Sequence, residues 1–168
     1  PTVSTTYTVV GTNSVGCTAT RTVNVGVALT PTVTSSASPT VICAGNSATL
    51  TAGGATTYVW DNSVVEGTSF VPTGTTTYNV VGTDVNGCAN TASVSVTVND
   101  LPIVTATSTS SSVCSGTSVT LTGGGATSYA WDNSVIDGTA FVPTGTTSYN
   151  VIGTDANGCT NTASISIG

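Results

Sequence analysis

The chain has 168 residues, of which only 5% are charged, and Arg21 is its single basic side chain. Its formal net charge of −6 argues against nucleic acid or an anionic membrane surface as partners, because binding to phosphates needs several Lys or Arg residues. No run approaches the ~18 consecutive apolar residues of a membrane-spanning helix, and a hydrophobic content of 38% in regular alternation argues against disorder.

All predicted elements are strands. In chain order they are "TTYTVVGT" and "CTATRTVNV" near the start, then "SATLTA", "TYVW", "TYNVVG" and "NTASVSVTV". Apolar and small residues alternate with Ser and Thr, the period of two that a half-buried antiparallel strand requires. The side chains expected in the core between residues 31 and 101 are Leu50, Tyr58, Trp60, Phe70, Tyr78, Val80, Val94 and Val96. Gly, Pro and Asn clusters separate about seven short strands per segment, which is typical of a β-sandwich.

The sequence repeats itself at a constant step. Cys17, Cys88 and Cys159 are 71 apart (88 − 17 and 159 − 88), and so are Cys43 and Cys114 (114 − 43). Trp60 and Trp131 keep the same step. The repeat divides the chain into residues 1–30, matching only the last two strands of a module, and two modules at residues 31–101 and 102–168. The fold class expected is therefore all-β, with tandem modules.

The run "TDVNGC" (Thr83–Cys88) admits two interpretations. Asp84 and Asn86, like Asp155 and Asn157 in the next copy, could contribute to a calcium site, but calcium needs six to eight oxygens and each module offers few carboxylates. The first copy has Asn13 and Val15 at these positions. We therefore favour a hairpin turn with Gly87 in the left-handed conformation, and expect no metal site.

Two further sets of residues are candidate chemical sites. Trp60 and Trp131 could stack on a sugar, but they share a strand face with Tyr58 and Tyr129, which favours burial in the core. Asp61 with Glu66, repeated as Asp132 with Asp137, could form an acid–base pair; we expect solvated surface carboxylates instead, since no His or Lys is present. The sequence predicts no catalytic residue and no cofactor.

The frame from "PTVICAGNSATLTA" through "YVW" and "FVPTGTTTYNVVGTDVNGC" resembles immunoglobulin-like and polycystic-kidney-disease-like repeats of large secreted bacterial proteins. Such repeats are typical of cell-surface adhesins of gliding bacteria that use the type IX secretion system. The resemblance covers essentially the whole chain. It implies immunoglobulin-like β-sandwich modules, an extracellular, cell-surface location and no catalysis.

The expected function is therefore structural, as an adhesin stalk or surface filament. Its partners would be neighbouring modules or copies of itself, arranged head to tail. The alternative is a carbohydrate-binding accessory module that recognises a surface polysaccharide.

In a secreted module of this size we expect oxidised cysteines. The pairs within modules would be Cys43–Cys88 and Cys114–Cys159, with the partner of Cys17 outside the chain. A bond from Cys43 to Cys159 across the module boundary stays open, because the usual seven-strand order would place Cys43 and Cys88 at opposite ends of one sandwich.

The N-terminal segment, residues 1–30, raises a separate expectation. A two-stranded hairpin is marginally stable alone, so Tyr7, Val9, Val23 and Val25 should be covered. The cover would come from another copy of the chain or from preceding sequence.

Overall fold

A computed structural model describes every residue of the chain, Pro1–Gly168. Its regular elements are fifteen β-strands, so the expected all-β fold is confirmed. No helix in the structure has the length and apolar character needed to cross a membrane. In chain order the strands are β1 (Thr5–Thr12), β2 (Thr18–Val25), β3 (Thr34–Ser38), β4 (Val41–Cys43), β5 (Ala48–Gly53), β6 (Thr57–Trp60), β7 (Ser69–Phe70), β8 (Thr76–Thr83), β9 (Ala89–Asn99), β10 (Thr105–Ser108), β11 (Val119–Gly124), β12 (Ser128–Trp131), β13 (Ala140–Phe141), β14 (Thr147–Thr154) and β15 (Thr160–Ile167).

The chain divides into two compact units, each described by itself. The first comprises Pro1–Ser38, Thr49–Phe70 and Thr77–Ser95, and the second comprises Pro39–Ala48, Val71–Thr76 and Val96–Gly168. The predicted modules, 1–30, 31–101 and 102–168, follow the sequence repeat rather than these units and stay a prediction.

The first unit contains antiparallel strand pairs. β1 pairs with β2 from Thr5↔Val25 to Thr12↔Thr18, and these two strands form a sheet of their own. β3, β5 and β7 form a three-stranded sheet, while β6 pairs with β8 in another. The buried side chains of this unit are Leu50, Trp60, Tyr78 and Val80, contributed by β5, β6 and β8.

The second unit contains two three-stranded sheets, ordered β10-β11-β13 and β12-β14-β15. Their inward faces meet in one core cluster, as expected for a β-sandwich. The buried members of that cluster are Val119, Leu121, Trp131, Tyr149, Val151 and Ile167. On β14, buried Tyr149 and Val151 alternate with exposed Asn150 and Ile152, so the two-residue period determines which side chains enter the core.

One strand pairing of the second unit is parallel. β4 runs alongside the end of β9, with Ile42 opposite Val98 and Cys43 opposite Asn99. Ala44 N then donates to Asn99 O at 2.8 Å. This short strand cannot show a sequence period, yet it determines where Cys43 lies.

The predicted core was largely correct. Leu50, Trp60, Tyr78, Val80 and Val96 are buried. The other three predicted residues, Tyr58, Phe70 and Val94, are only half-buried. Ile42 and Ala48 are buried but were not among the predicted core residues. Ile42 lies on a strand of three residues, too short to show a period, whereas Ala48 begins the alternation that places Leu50 in the core.

Candidate functional site: the cysteine turns and the disulfide

The run Thr83–Cys88 is a turn that presents a cysteine. Asp84 Oδ1 accepts from the backbone N of Asn86 at 2.8 Å and of Cys88 at 2.9 Å. Gly87 N donates to Asp84 O at 3.1 Å, and Gly87 has a φ of 80°. The predicted turn with a left-handed glycine at this position is confirmed.

The same turn forms in all three sequence copies. Asp155 Oδ1 accepts from Asn157 N and Cys159 N, both at 2.8 Å. In the first copy the amide oxygen of Asn13 accepts from Cys17 N at 2.9 Å, so a neutral side chain suffices. The Asp84 and Asp155 carboxylates therefore bind the backbone of their own turns and orient the cysteine that follows.

The structure contains one disulfide, between Cys43 and Cys159, with a Cα–Cα distance of 5.5 Å. Both residues belong to the second unit. Cys43 ends β4, while Cys159 closes its turn and is fully buried. Cys17, Cys88 and Cys114 are free thiols; Cys17 and Cys114 are exposed, and Cys88 is half-buried.

The predicted pairs Cys43–Cys88 and Cys114–Cys159 are therefore wrong, and the alternative bond between sequence copies is present. The reason is the length of β9. Cys43 lies opposite Asn99 at its C-terminal end, whereas Cys88 directly precedes its N-terminal end. Eleven residues at ~3.3 Å each separate the two ends by roughly 35 Å. A disulfide needs Cα atoms within about 7 Å.

A shallow cavity of about 430 Å³ adjoins the disulfide within the second unit. Its lining includes the amide side chains of Asn46, Asn99 and Asn157, together with Val41 and Ile42. These groups can form hydrogen bonds to a polar ligand, but the lining contains no titratable group and no aromatic ring.

The candidate acid–base carboxylates hold strands and loops together. Glu66 Oε2 accepts from Trp60 Nε1 at 2.6 Å, and Glu66 Oε1 accepts from Ala52 N at 2.8 Å. Asp61 accepts from both the backbone and the side chain of Asn79, at 3.1 and 2.8 Å. The expectation of simply solvated carboxylates is wrong, since both oxygens of half-buried Glu66 have protein donors.

The other copy repeats this arrangement with a shorter side chain. Asp137 Oδ1 alone accepts from Trp131 Nε1 and Gly123 N, both at 2.8 Å. An acidic residue six positions after each Trp was the sequence signal for this contact, and sequence reasoning missed it. Both Trp rings are buried, as predicted, so neither presents a free face for sugar stacking.

The hairpin β1–β2 keeps an apolar face uncovered. Tyr7, Val9, Val23 and Val25 are 46%, 65%, 61% and 39% exposed, respectively. In the second unit the corresponding residues of β14 and β15 face the core cluster. The prediction that another copy or preceding sequence covers this face stays a prediction.

No family model matches this chain, and no curated protein resembles it significantly.

Proposed function

We propose that the chain is a non-enzymatic structural segment of an extracellular repeat array, acting as an adhesin stalk or cell-surface filament built from immunoglobulin-like modules. The observation that carries this proposal is the Cys43–Cys159 bond. Its two cysteines come from different copies of the 71-residue repeat. A bond of this kind joins copies to each other covalently, as an array that transmits force along its length requires.

The same bond supports the proposed extracellular location. Structural disulfides persist in oxidising environments such as the cell exterior. With one basic residue and abundant Ser and Thr, the chain is suited to exposure to water and has little that could bind a polyanion.

The proposal is tested by stretching single molecules held at their two ends. The bond bypasses 116 residues, so the fully extended oxidised chain should be shorter than the reduced chain by about 400 Å at ~3.5 Å per residue. Dithiothreitol added under load should release that length in one step. Equal extension with and without reductant would show that the bond carries no load between copies.

A second candidate is binding of a neutral polysaccharide, and the cavity lined by Asn46, Asn99 and Asn157 favours it. The absence of an aromatic ring from the lining makes it the weaker candidate, because sugars bind to proteins largely by stacking on aromatic faces. Titration against a panel of polysaccharides separates the two: a stalk shows no saturable binding. Saturable binding that Asn99→Ala abolishes would favour the alternative.

A further inference from the structure

The five cysteines occupy two kinds of position. Cys43 and Cys114 stand at the start of the loops before β5 and β11, and are here termed loop cysteines. Cys17, Cys88 and Cys159 close the turns described above and are termed turn cysteines. The single disulfide joins one loop cysteine to one turn cysteine of the next copy.

The free loop cysteine is followed by the same turn as the bonded one. Thr117 N donates to Cys114 O at 3.0 Å, as Asn46 N donates to Cys43 O at 3.0 Å. The glycines that shape these two loops, Gly116 and Gly45, have φ values of 84° and 89°.

The chain before each loop cysteine is also held in the same way. Gly168 N donates to Ser111 O at 3.0 Å, and Thr97 N donates to Thr40 O at 2.8 Å. Gly168 and Thr97 occupy the same position of successive copies, as do Ser111 and Thr40. Cys114 therefore shares these hydrogen bonds with Cys43, although Cys43 ends strand β4 and Cys114 belongs to no strand. The Cys114 thiol is exposed and unpaired.

We propose that Cys114 is one half of a second disulfide whose other half is the turn cysteine of a further copy, following in the same array. The proposal rests on the array function proposed above. Cys43 shows what a loop cysteine in this setting does when a turn cysteine of the next copy is present. Successive copies would then be joined by bonds of the same kind, each from a loop cysteine to the next copy's turn cysteine.

Formation of the bond requires a disulfide oxidant, such as glutathione disulfide or an exported thiol oxidase. The Cys114 thiolate attacks the oxidant disulfide, which leaves a mixed disulfide and releases one thiol. The thiolate of the turn cysteine then displaces the second thiol. The two cysteines lose two electrons and two protons, and one oxidant disulfide becomes two thiols.

If every loop cysteine were bonded to the turn cysteine of the next copy, the array could hardly be extended by force. Each bond spans 116 residues, and only a short segment, such as Cys88 to Cys114, separates a turn cysteine from the next loop cysteine. Across two copies, the shortest covalent route along the array would then consist of one disulfide and one such segment. Its fully unfolded length falls from about 500 Å to about 90 Å at ~3.5 Å per residue.

The test uses the full chain extended after Gly168 by a second copy of residues 98–168, oxidised in a glutathione redox buffer. Free thiols are alkylated, and the disulfides are mapped without reduction. We expect two bonds: Cys43–Cys159, and Cys114 to the appended copy of Cys159. A matched variant that carries Cys114→Ser with Ser115→Cys moves the thiol by one residue and should lose only the second bond.

Alkylated Cys114 beside an intact Cys43–Cys159 bond would overturn the proposal, and so would a Cys114 disulfide between two molecules. The Cys43–Cys159 bond shows that the extended chain has folded. A disulfide map that lacks this bond would also contradict the proposal, because the proposed bond is inferred from it. The stretching experiment on the original chain is independent of Cys114, so failure here leaves the proposed array function to be judged separately.

Discussion

The disulfide should contribute a large part of the stability, and Cys43→Ala isolates that contribution. The bond closes a loop with a sequence separation of 116 residues. In the chain-entropy model, a loop of this length restricts the unfolded chain enough to stabilise the folded state by about 5 kcal/mol at 25 °C. Cys43 is half-buried, so its replacement by Ala removes little packing besides the bond.

The assay is equilibrium unfolding in guanidinium chloride, followed by the fluorescence of Trp60 and Trp131. With a denaturant slope of ~4 kcal/mol/M, the midpoint should fall by on the order of 1 M. Cys159→Ala should cause a similar loss, and the double variant should lose scarcely more than either single variant, because each single change already breaks the same bond.

Cys88→Ala is the matched control, since Cys88 occupies the same turn as Cys159 but has a free thiol. It should leave the midpoint nearly unchanged. Dithiothreitol should abolish the difference between the native chain and Cys43→Ala. A Cys43→Ala midpoint equal to that of the native oxidised chain, or five reactive thiols in that native chain, would refute the reasoning.

Substitutions at three other residues, each with a control, test the contacts that shape the copies. Glu66→Ala should lower the free energy of unfolding by about 1–3 kcal/mol, because Trp60 Nε1 and Ala52 N lose their acceptors. Glu66→Asp should lower it by less than half as much, since Asp137 accepts from the corresponding donors in the other copy. Equal losses for the two variants in denaturant unfolding would contradict this. Asp84→Ala should lower the free energy of unfolding by about 1 kcal/mol, because two backbone hydrogen bonds are lost. Asp84→Asn should change it little, since Asn13 forms the same turn in the first copy. A melting temperature lowered by EDTA would instead show that Asp84 binds a metal. Gly82→Ala should lower the free energy of unfolding by about 1–3 kcal/mol, because the new Cβ would lie 2.7 Å from Val33 Cγ2 and 2.9 Å from Ala55 Cβ. The control is Gly11→Ala at the corresponding position of β1, where the nearest atom to a new Cβ is 4.0 Å away. Comparable melting temperatures for the two variants would show that this close contact does not matter.

The sequence predicted the strands and most of the core because alternation is a local signal. Leu50, Tyr78 and Val80 lie on strands with a clear two-residue period, and all three are buried. The turns were equally readable, since Gly87 and Asn86 have local conformational preferences. Phe70 lies on a strand of two residues, too short for a period to place it, and is only half-buried.

The carboxylate contacts could not be predicted in the same way because they join residues on different strands. Glu66 accepts from Ala52 on β5 and from Trp60 on β6, and nothing in the local pattern near Glu66 distinguishes this role from solvation. The useful signal came from comparing the copies. The position of Glu66 is occupied by Asp137 in the next copy, so the acid is retained although its side chain is one methylene shorter. Retention of charge with a change of length indicates a specific acceptor role.

The disulfide shows most clearly where local sequence stops being informative. Cys88 and Cys159 close turns with the same hydrogen bonds, yet one is a free thiol and the other is bonded and buried. Their states differ because only Cys159 meets a loop cysteine of another copy, placed there by the parallel pairing of β4 with β9. In a repeated chain, the chemistry of a residue therefore depends on which copy lies beside it as well as on its own sequence. Cys114 and Cys88 are a loop and a turn cysteine whose local turns match those of the bonded pair, so their reactivity toward added copies measures that dependence directly.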